Sequence, residues 1–264
     1  MIKIYNQFIK EGLLQHLTGP NEDEILKNLI ENSDDLHEIF WKSISNGLLS
    51  GIKYVIENGL SLKKGQLMEA YIRCDYLEGV EELIKNGFPI NGEKDNFPPI
   101  QTAAEYNKYD IVKYLIEHNV NIHYMWDSPF RTAASFGYYN ITKILLENGA
   151  KIEELNSNTE NYANIVEFND YNLLKLLLDN GLDPNVDNGF LIRHLVSNYG
   201  SKGIEGYEVK NNDELVKLAL EYGAKTSVVL NDRYYRNYIP RNLIDDFEKN
   251  NDKTYRWLKN IMNT

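Results

Sequence analysis

Few residue types in this chain stand where chemistry would need them. The five histidines are His16, His37, His118, His123 and His194. None falls in an H-E-x-x-H pattern or a Cys/His zinc spacing, so no metal site is expected. His118 and His123 flank a helix stop and read as capping and surface hydrogen-bonding groups, and His194 reads as a polar tie to a neighbouring loop. The single cysteine, Cys74, rules out an internal disulfide and a thiolate cluster. With no base implied beside it, it reads as a small packed hydrophobe. Gly200, Gly203 and Gly206 lie three apart, which is not a dinucleotide fingerprint, and no G-K-[ST] phosphate loop is present. They read as a flexible insertion loop. The acidic pairs Asp34-Asp35, Glu153-Glu154 and Asp245-Asp246 read as solvated faces or helix ends, because nothing sets two carboxylates across a cleft. Asn140-Ile141-Thr142 has glycosylation spacing but falls inside an expected helix. The expectation is no catalytic residue, no cofactor and no metal.

The elements that carry these side chains come from a chain of 264 residues, 42% of them hydrophobic, with a formal net charge of -11. That is enough apolar material for a core, in one large domain or two ordinary ones. The acidic surplus argues against nucleic acid and anionic membrane as partners, since both need surplus Lys/Arg. No run approaches the roughly 18 apolar residues of a spanning helix, and Met1–Lys10 has no secretory character. A cytoplasmic monomer in a reducing compartment is expected.

The chain repeats itself. Val55-Ile56-Glu57-Asn58-Gly59, Leu83-Ile84-Lys85-Asn86-Gly87, Leu115-Ile116-Glu117-His118-Asn119, Leu145-Leu146-Glu147-Asn148-Gly149, Leu177-Leu178-Asp179-Asn180-Gly181 and Ala219-Leu220-Glu221-Tyr222-Gly223 are one theme. The final Gly or Asn stands at 59, 87, 119, 149, 181 and 223, spaced by 28, 32, 30, 32 and 42. An apolar pair closes an amphipathic helix, and Gly or Asn then takes the left-handed conformation that ends it. An extended link with alternating apolar residues follows, such as Val120-Asn121-Ile122 or Ala150-Lys151-Ile152. Twelve residues before the first five stops stand Gly47, Asp75, Asn107, Gly137 and Asn169, which fit a tight turn between two helices. Each unit therefore reads as helix, turn, helix, link. None can bury its apolar faces alone, so neighbours must stack.

Two central units carry a family signature. Pro98-Pro99-Ile100-Gln101-Thr102-Ala103-Ala104 and Ser128-Pro129-Phe130-Arg131-Thr132-Ala133-Ala134 resemble the T-P-L-H-x-A opening of ankyrin repeats. Asp110–His123 and Asn140–Ile152 resemble the second ankyrin helix and its exit. The resemblance spans residues 35–226 and implies an all-α solenoid of about six helix-turn-helix units. It departs in the units around Tyr71-Ile72-Arg73-Cys74 and Ile165-Val166-Glu167-Phe168, which lack both the Pro and the Ala pair, and in the insertion at 200–210. The Asn, Ile, Lys and Tyr usage makes the repeats similar to divergent ones of large DNA viruses.

The resemblance also implies a binding surface. In ankyrin repeats the two residues after the Ala pair face a concave groove, and the link tips lie beside it. Mapped onto this chain these are Arg73 and Cys74, Glu105 and Tyr106, Ser135 and Phe136, and Glu167 and Phe168, with Phe97, Tyr124, Met125, Trp126 and Asp127 at tips. The expected partner-binding residues are Arg73, Phe97, Glu105, Tyr106, Tyr124, Trp126, Ser135, Phe136, Glu167 and Phe168. Tyr106, Phe136 and Phe168 recur at 30 and 32 residues, so stacking would set them in one column.

The ends read differently. Residues 1–34 are an N-terminal helical cap, with Glu22, Asp23 and Glu24 at a helix start. Residues 227–264 are a capping tail with a helix over 242–261; seven Lys/Arg against five Asp/Glu make it basic. The expected function is non-enzymatic binding of a protein, as scaffold, adaptor or sequestering inhibitor. Two other readings stand beside it. One is a ubiquitin-ligase adaptor working through Ile239–Phe247, which resembles an F-box opening. The other is a small-molecule sensor or enzyme using 200–210 as a lid.

Overall fold

The helices begin and end where turn chemistry dictates. The computed structural model describes residues 22–93, 97–156, 165, 170–197 and 212–225. The chain divides into two compact units, Met1–Tyr124 and Met125–Thr264. The described residues of the first hold α1 (Glu22–Asn32), α2 (Leu36–Ser45), α3 (Leu49–Glu57), α4 (Lys64–Arg73), α5 (Leu77–Lys85), α6 (Pro99–Glu105) and α7 (Tyr109–Glu117). Those of the second hold α8 (Ser128–Ser135), α9 (Tyr139–Glu147), α10 (Glu153–Asn156), α11 (Tyr171–Asp179), α12 (Val186–Ser197) and α13 (Asn212–Glu221). No strand occurs among the described residues. The 200–210 insertion and the 227–264 tail lie outside them.

All six stops adopt the left-handed backbone, from Asn119 at φ 61° to Gly149 at φ 98°. So do the inner-turn residues Gly47, Asp75, Asn107 and Gly137. Each stop is sealed by a bond from the next residue's N–H to a carbonyl five residues back, as in Leu60 to Val55 (2.9 Å), Val120 to Leu115 (3.1 Å) and Ala150 to Leu145 (3.0 Å). This is the Schellman pattern, which satisfies carbonyls a helix end would leave bare. At four of the stops the residue before adds a second seal. Asn58, Asn148 and Asn180 donate from Nδ2 to the carbonyl four residues earlier at 2.8, 2.7 and 2.7 Å. His118 does the same from Nδ1 to Tyr114, at 2.8 Å. That is why Asn or His precedes the stop.

In the first unit the first helices α2, α4 and α6 pack in a row, and α5 packs on α7. Leu26, Ile39, Phe40, Ile52, Tyr54 and Ala70 form one buried cluster. Ile100, Ala103, Ala104, Ile111 and Leu115 are fully buried further along. Pro99 stands in the first turn of α6, where its missing N–H matters least. In the second unit α8 packs on α9, and α9, α11 and α13 follow one another. Phe130, Ala133, Ala134, Leu145 and Leu177 are fully buried there. In the links, Val120 and Ile122 turn inward while Asn121 faces water, and Ala150, Lys151 and Ile152 repeat that alternation.

The links are joined by bonds the sequence pattern does not display. Four backbone N–H groups, each two residues after a stop, donate to an Asn or Asp side chain of the preceding tip. Asn121 donates to Asn91 (2.7 Å), Lys151 to Asp127 (2.6 Å), Asp183 to Asn156 (3.0 Å) and Lys225 to Asn185 (2.8 Å).

Candidate functional site

In the first unit, four of the expected residues line one cavity of about 280 Å³: Arg73, Phe97, Glu105 and Tyr106. Arg73 ends α4 and Tyr106 caps α6, and these first helices pack side by side. The Arg73 guanidinium lies over the Tyr106 ring, 4.4 Å from its centroid. Its Nη2 is 2.7 Å from Glu69 Oε1, one helical turn back on α4. Burial pushes the Tyr106 phenol above its ordinary range, and Arg73 opposes this more weakly. Met68, Ile72 and Phe88 add an apolar floor. Phe97, 69% exposed, stands at the mouth. Tyr124, the last residue of this unit, is half-buried.

Cys74 caps α4 and is half-buried. Burial pushes its thiol up to about 11, with Lys108 a smaller opposing influence. Such a thiol is protonated at neutral pH and a poor nucleophile.

In the second unit the tip is built on strain. Met125, Trp126 and Asp127 all have positive φ, at 44, 55 and 57°. Three consecutive residues with side chains in this region are costly unless the surroundings fix them. The fixing is visible. Arg131, in the next helix, donates from Nε to the Trp126 carbonyl and from Nη2 to the Met125 carbonyl, both at 3.0 Å. Asp127 is 1% exposed and accepts the Lys151 N–H. Trp126 is left 73% exposed and Met125 58% exposed. Asp187, Asn188 and Gly189 form the same left-handed run at the start of α12, and Arg193 Nη2 donates to the Asp187 carbonyl at 2.7 Å. In both runs the Arg stands six residues after the first left-handed residue, a spacing legible in the sequence once the run is known.

The pair after the Ala pair does not behave uniformly. Glu105 is exposed, whereas Ser135 at the matching position of α8 is 6% exposed. A Glu side chain is long enough to reach water from there, and a Ser hydroxyl is not. Ser135 thus presents no surface for a partner. Phe136 is 43% exposed and meets Tyr138 edge-on at 5.7 Å. Glu167 and Phe168 lie outside the described residues, and so does the expected column of aromatics where it depends on Phe168.

Among the described residues no group of His, Cys, Asp or Glu is arranged to hold a metal ion, and no helix is long and apolar enough to cross a membrane. A family model for ankyrin repeats (three copies) matches residues 67–156. This segment carries ankyrin repeats. It spans α4 to α10, and so takes in both the cavity and the Trp126 tip. The ankyrin repeat is an all-α solenoid unit, which is the fold class that the resemblance implied. Ankyrin repeats as a class are protein–protein interaction modules and are typically not enzymes. No curated protein matches the chain.

Proposed function

We propose that the chain is a non-enzymatic protein-binding module, a scaffold, adaptor or sequestering inhibitor, that captures its partner with the ends of its first helices and with its link tips. One observation carries this reading: the largest apolar side chain at the Met125–Asp127 tip is held out in water by a backbone that has no intrinsic preference for that conformation. Trp and Tyr concentrate binding energy at interfaces, and a tip already locked in place loses little freedom on binding. In this reading Arg73, Phe97, Glu105 and Tyr106 form one contact surface in the first unit, with Tyr124 at its end. Trp126 and Phe136 form another in the second, and Glu167 and Phe168 extend it. Residues 1–34 and 227–264 act as caps. The residue usage shared with repeats of large DNA viruses supports a partner in a host cytoplasm, with the chain acting as a monomer.

The test is affinity capture from the native cell with mass spectrometry, using the wild-type chain and the Trp126→Ala and Tyr106→Ala variants. Both variants are expected to lose the same partner while keeping wild-type far-UV circular dichroism. A partner retained in full by both would overturn the reading, as would a Trp126→Ala variant that melts.

A further inference from the structure

The cavity between α4 and α6 has a chemistry of its own. What enters it rests on the protein-binding reading above and sharpens that reading to one kind of segment. At about 280 Å³ the cavity falls just below the roughly 300–1,000 Å³ of small-molecule sites, and it suits a single large side chain. Its floor of Met68, Ile72 and Phe88 is apolar, and Phe97 at the mouth extends that surface into water.

Among the described residues the rim carries two carboxylates, Glu69 and Glu105, and one cation, Arg73. Arg73 is already committed to Glu69 on one side and to the face of Tyr106 on the other. It is therefore not presented to an acidic visitor. Glu105 is exposed, and no cation stands within ion-pair distance of it among the described residues. The surrounding chain reinforces this sign: residues 22–124 hold eighteen Asp/Glu against ten Lys/Arg. A visitor that fills the floor and meets the exposed Glu105 carboxylate needs an apolar side chain with a cation close behind it.

We infer that this cavity binds a protein segment bearing a large apolar residue with Lys or Arg beside it, the apolar side chain on the Met68–Ile72–Phe88 floor and the cation against Glu105. Phe97 closes over the inserted side chain as the hydrophobic part of the rim.

The probe is a phage-displayed library of random linear peptides, panned on the immobilised full chain. Phe97→Ala and Glu105→Lys serve as comparison variants, both at exposed positions that leave the packed core untouched. The expected consensus pairs a large apolar residue with Lys or Arg. Synthetic consensus peptides should lose about tenfold in affinity on Phe97→Ala. Panning on Glu105→Lys should replace the basic residue by Asp or Glu. A consensus without a basic residue, the same consensus on Glu105→Lys, or no enrichment at all would overturn the inference. Peptides that depend on Trp126 and ignore Phe97 and Glu105 would overturn it while leaving the protein-binding reading intact. Cellular capture insensitive to both Trp126→Ala and Tyr106→Ala would remove that reading itself.

Discussion

Asp127 shows how one side chain holds a tip in place. Asp127 is buried, next in sequence to the exposed Trp126, and its carboxylate accepts the Lys151 N–H, so its removal takes that acceptor from a part-buried N–H. Asp127→Ala should therefore destabilise the second unit by about 1–3 kcal/mol, and Asp127→Asn, which keeps a side-chain carbonyl oxygen, by less. Urea midpoints at constant m-value would separate them. Trp126→Ala, by contrast, removes a side chain that packs on little, and should shift stability by no more than about 0.5 kcal/mol. The difference between these neighbours follows from their burial, and Cys74 illustrates the same principle chemically: its thiol is withdrawn from reaction by where it sits.

At the scale of helices, two glycines serve opposite ends. A Cβ on Gly51, inside α3, would lie 2.6 Å from Ser43 Cβ of α2 and closer still to Ser43 Oγ. The two helices touch there, and Gly51→Ala should cost about 1–3 kcal/mol, largely recovered in a Ser43→Gly background. A Cβ on Gly149 meets nothing within 4 Å, but its φ is 98°. Gly149→Ala should cost about 1–2 kcal/mol whatever its neighbours are, with no second-site rescue. Thermal melts of the four variants would show it. Between α11 and the end of α13, Lys175 Nζ lies 2.7 Å from Asp179 Oδ2, and Tyr222 donates to Asp179 Oδ1. Lys175 and then Tyr222 hold the Asp179 carboxyl below its ordinary value of 3.8. The contribution is therefore present above 3.8 and lost as the pH falls through the lowered value. The Lys175 amine is raised above 10.5, chiefly by Asp179, so its contribution is present below 10.5 and lost as the pH rises through the raised value. The melting-temperature gap between wild type and Asp179→Asn should be constant near neutrality and shrink toward zero in acid.

The element scale is also where the sequence was most legible. Helix stops and inner turns could be read because Gly, Asn and Asp are the residues that accept positive φ, and each of them marks the position itself. Buried faces could be read because Leu115, Leu145 and Leu177 recur with the repeat. The tip at Met125–Asp127 carried no such sign: its left-handed run contains no glycine and is held by an Arg whose role appears only in three dimensions. The bonds between links were equally hidden, because their acceptors precede their donors by 30, 24, 27 and 40 residues and share no period. The cavity was half legible. Arg73, Phe97, Glu105 and Tyr106 follow from position in the repeat, whereas Glu69, Met68 and Phe88 join them only through the packing of α4 on α6.

For the molecule as a whole, charge governs encounter more than fold. A net charge of -11 draws a basic partner in over the Debye length, about 10 Å at 0.1 M salt. The association rate with a basic partner should fall steeply as salt rises, while the dissociation rate, set by the buried contacts, should change little. Surface plasmon resonance across a salt series, with the partner or a selected peptide, would separate the two.

The side-chain acceptors that tie each link to the next have a further consequence. Because the same donor position is met by an acceptor lying anywhere from 24 to 40 residues upstream, a link keeps its tie whatever the length of the unit that it closes. An insertion placed outside the buried helix faces would therefore lengthen one unit and leave the ties of its neighbours standing.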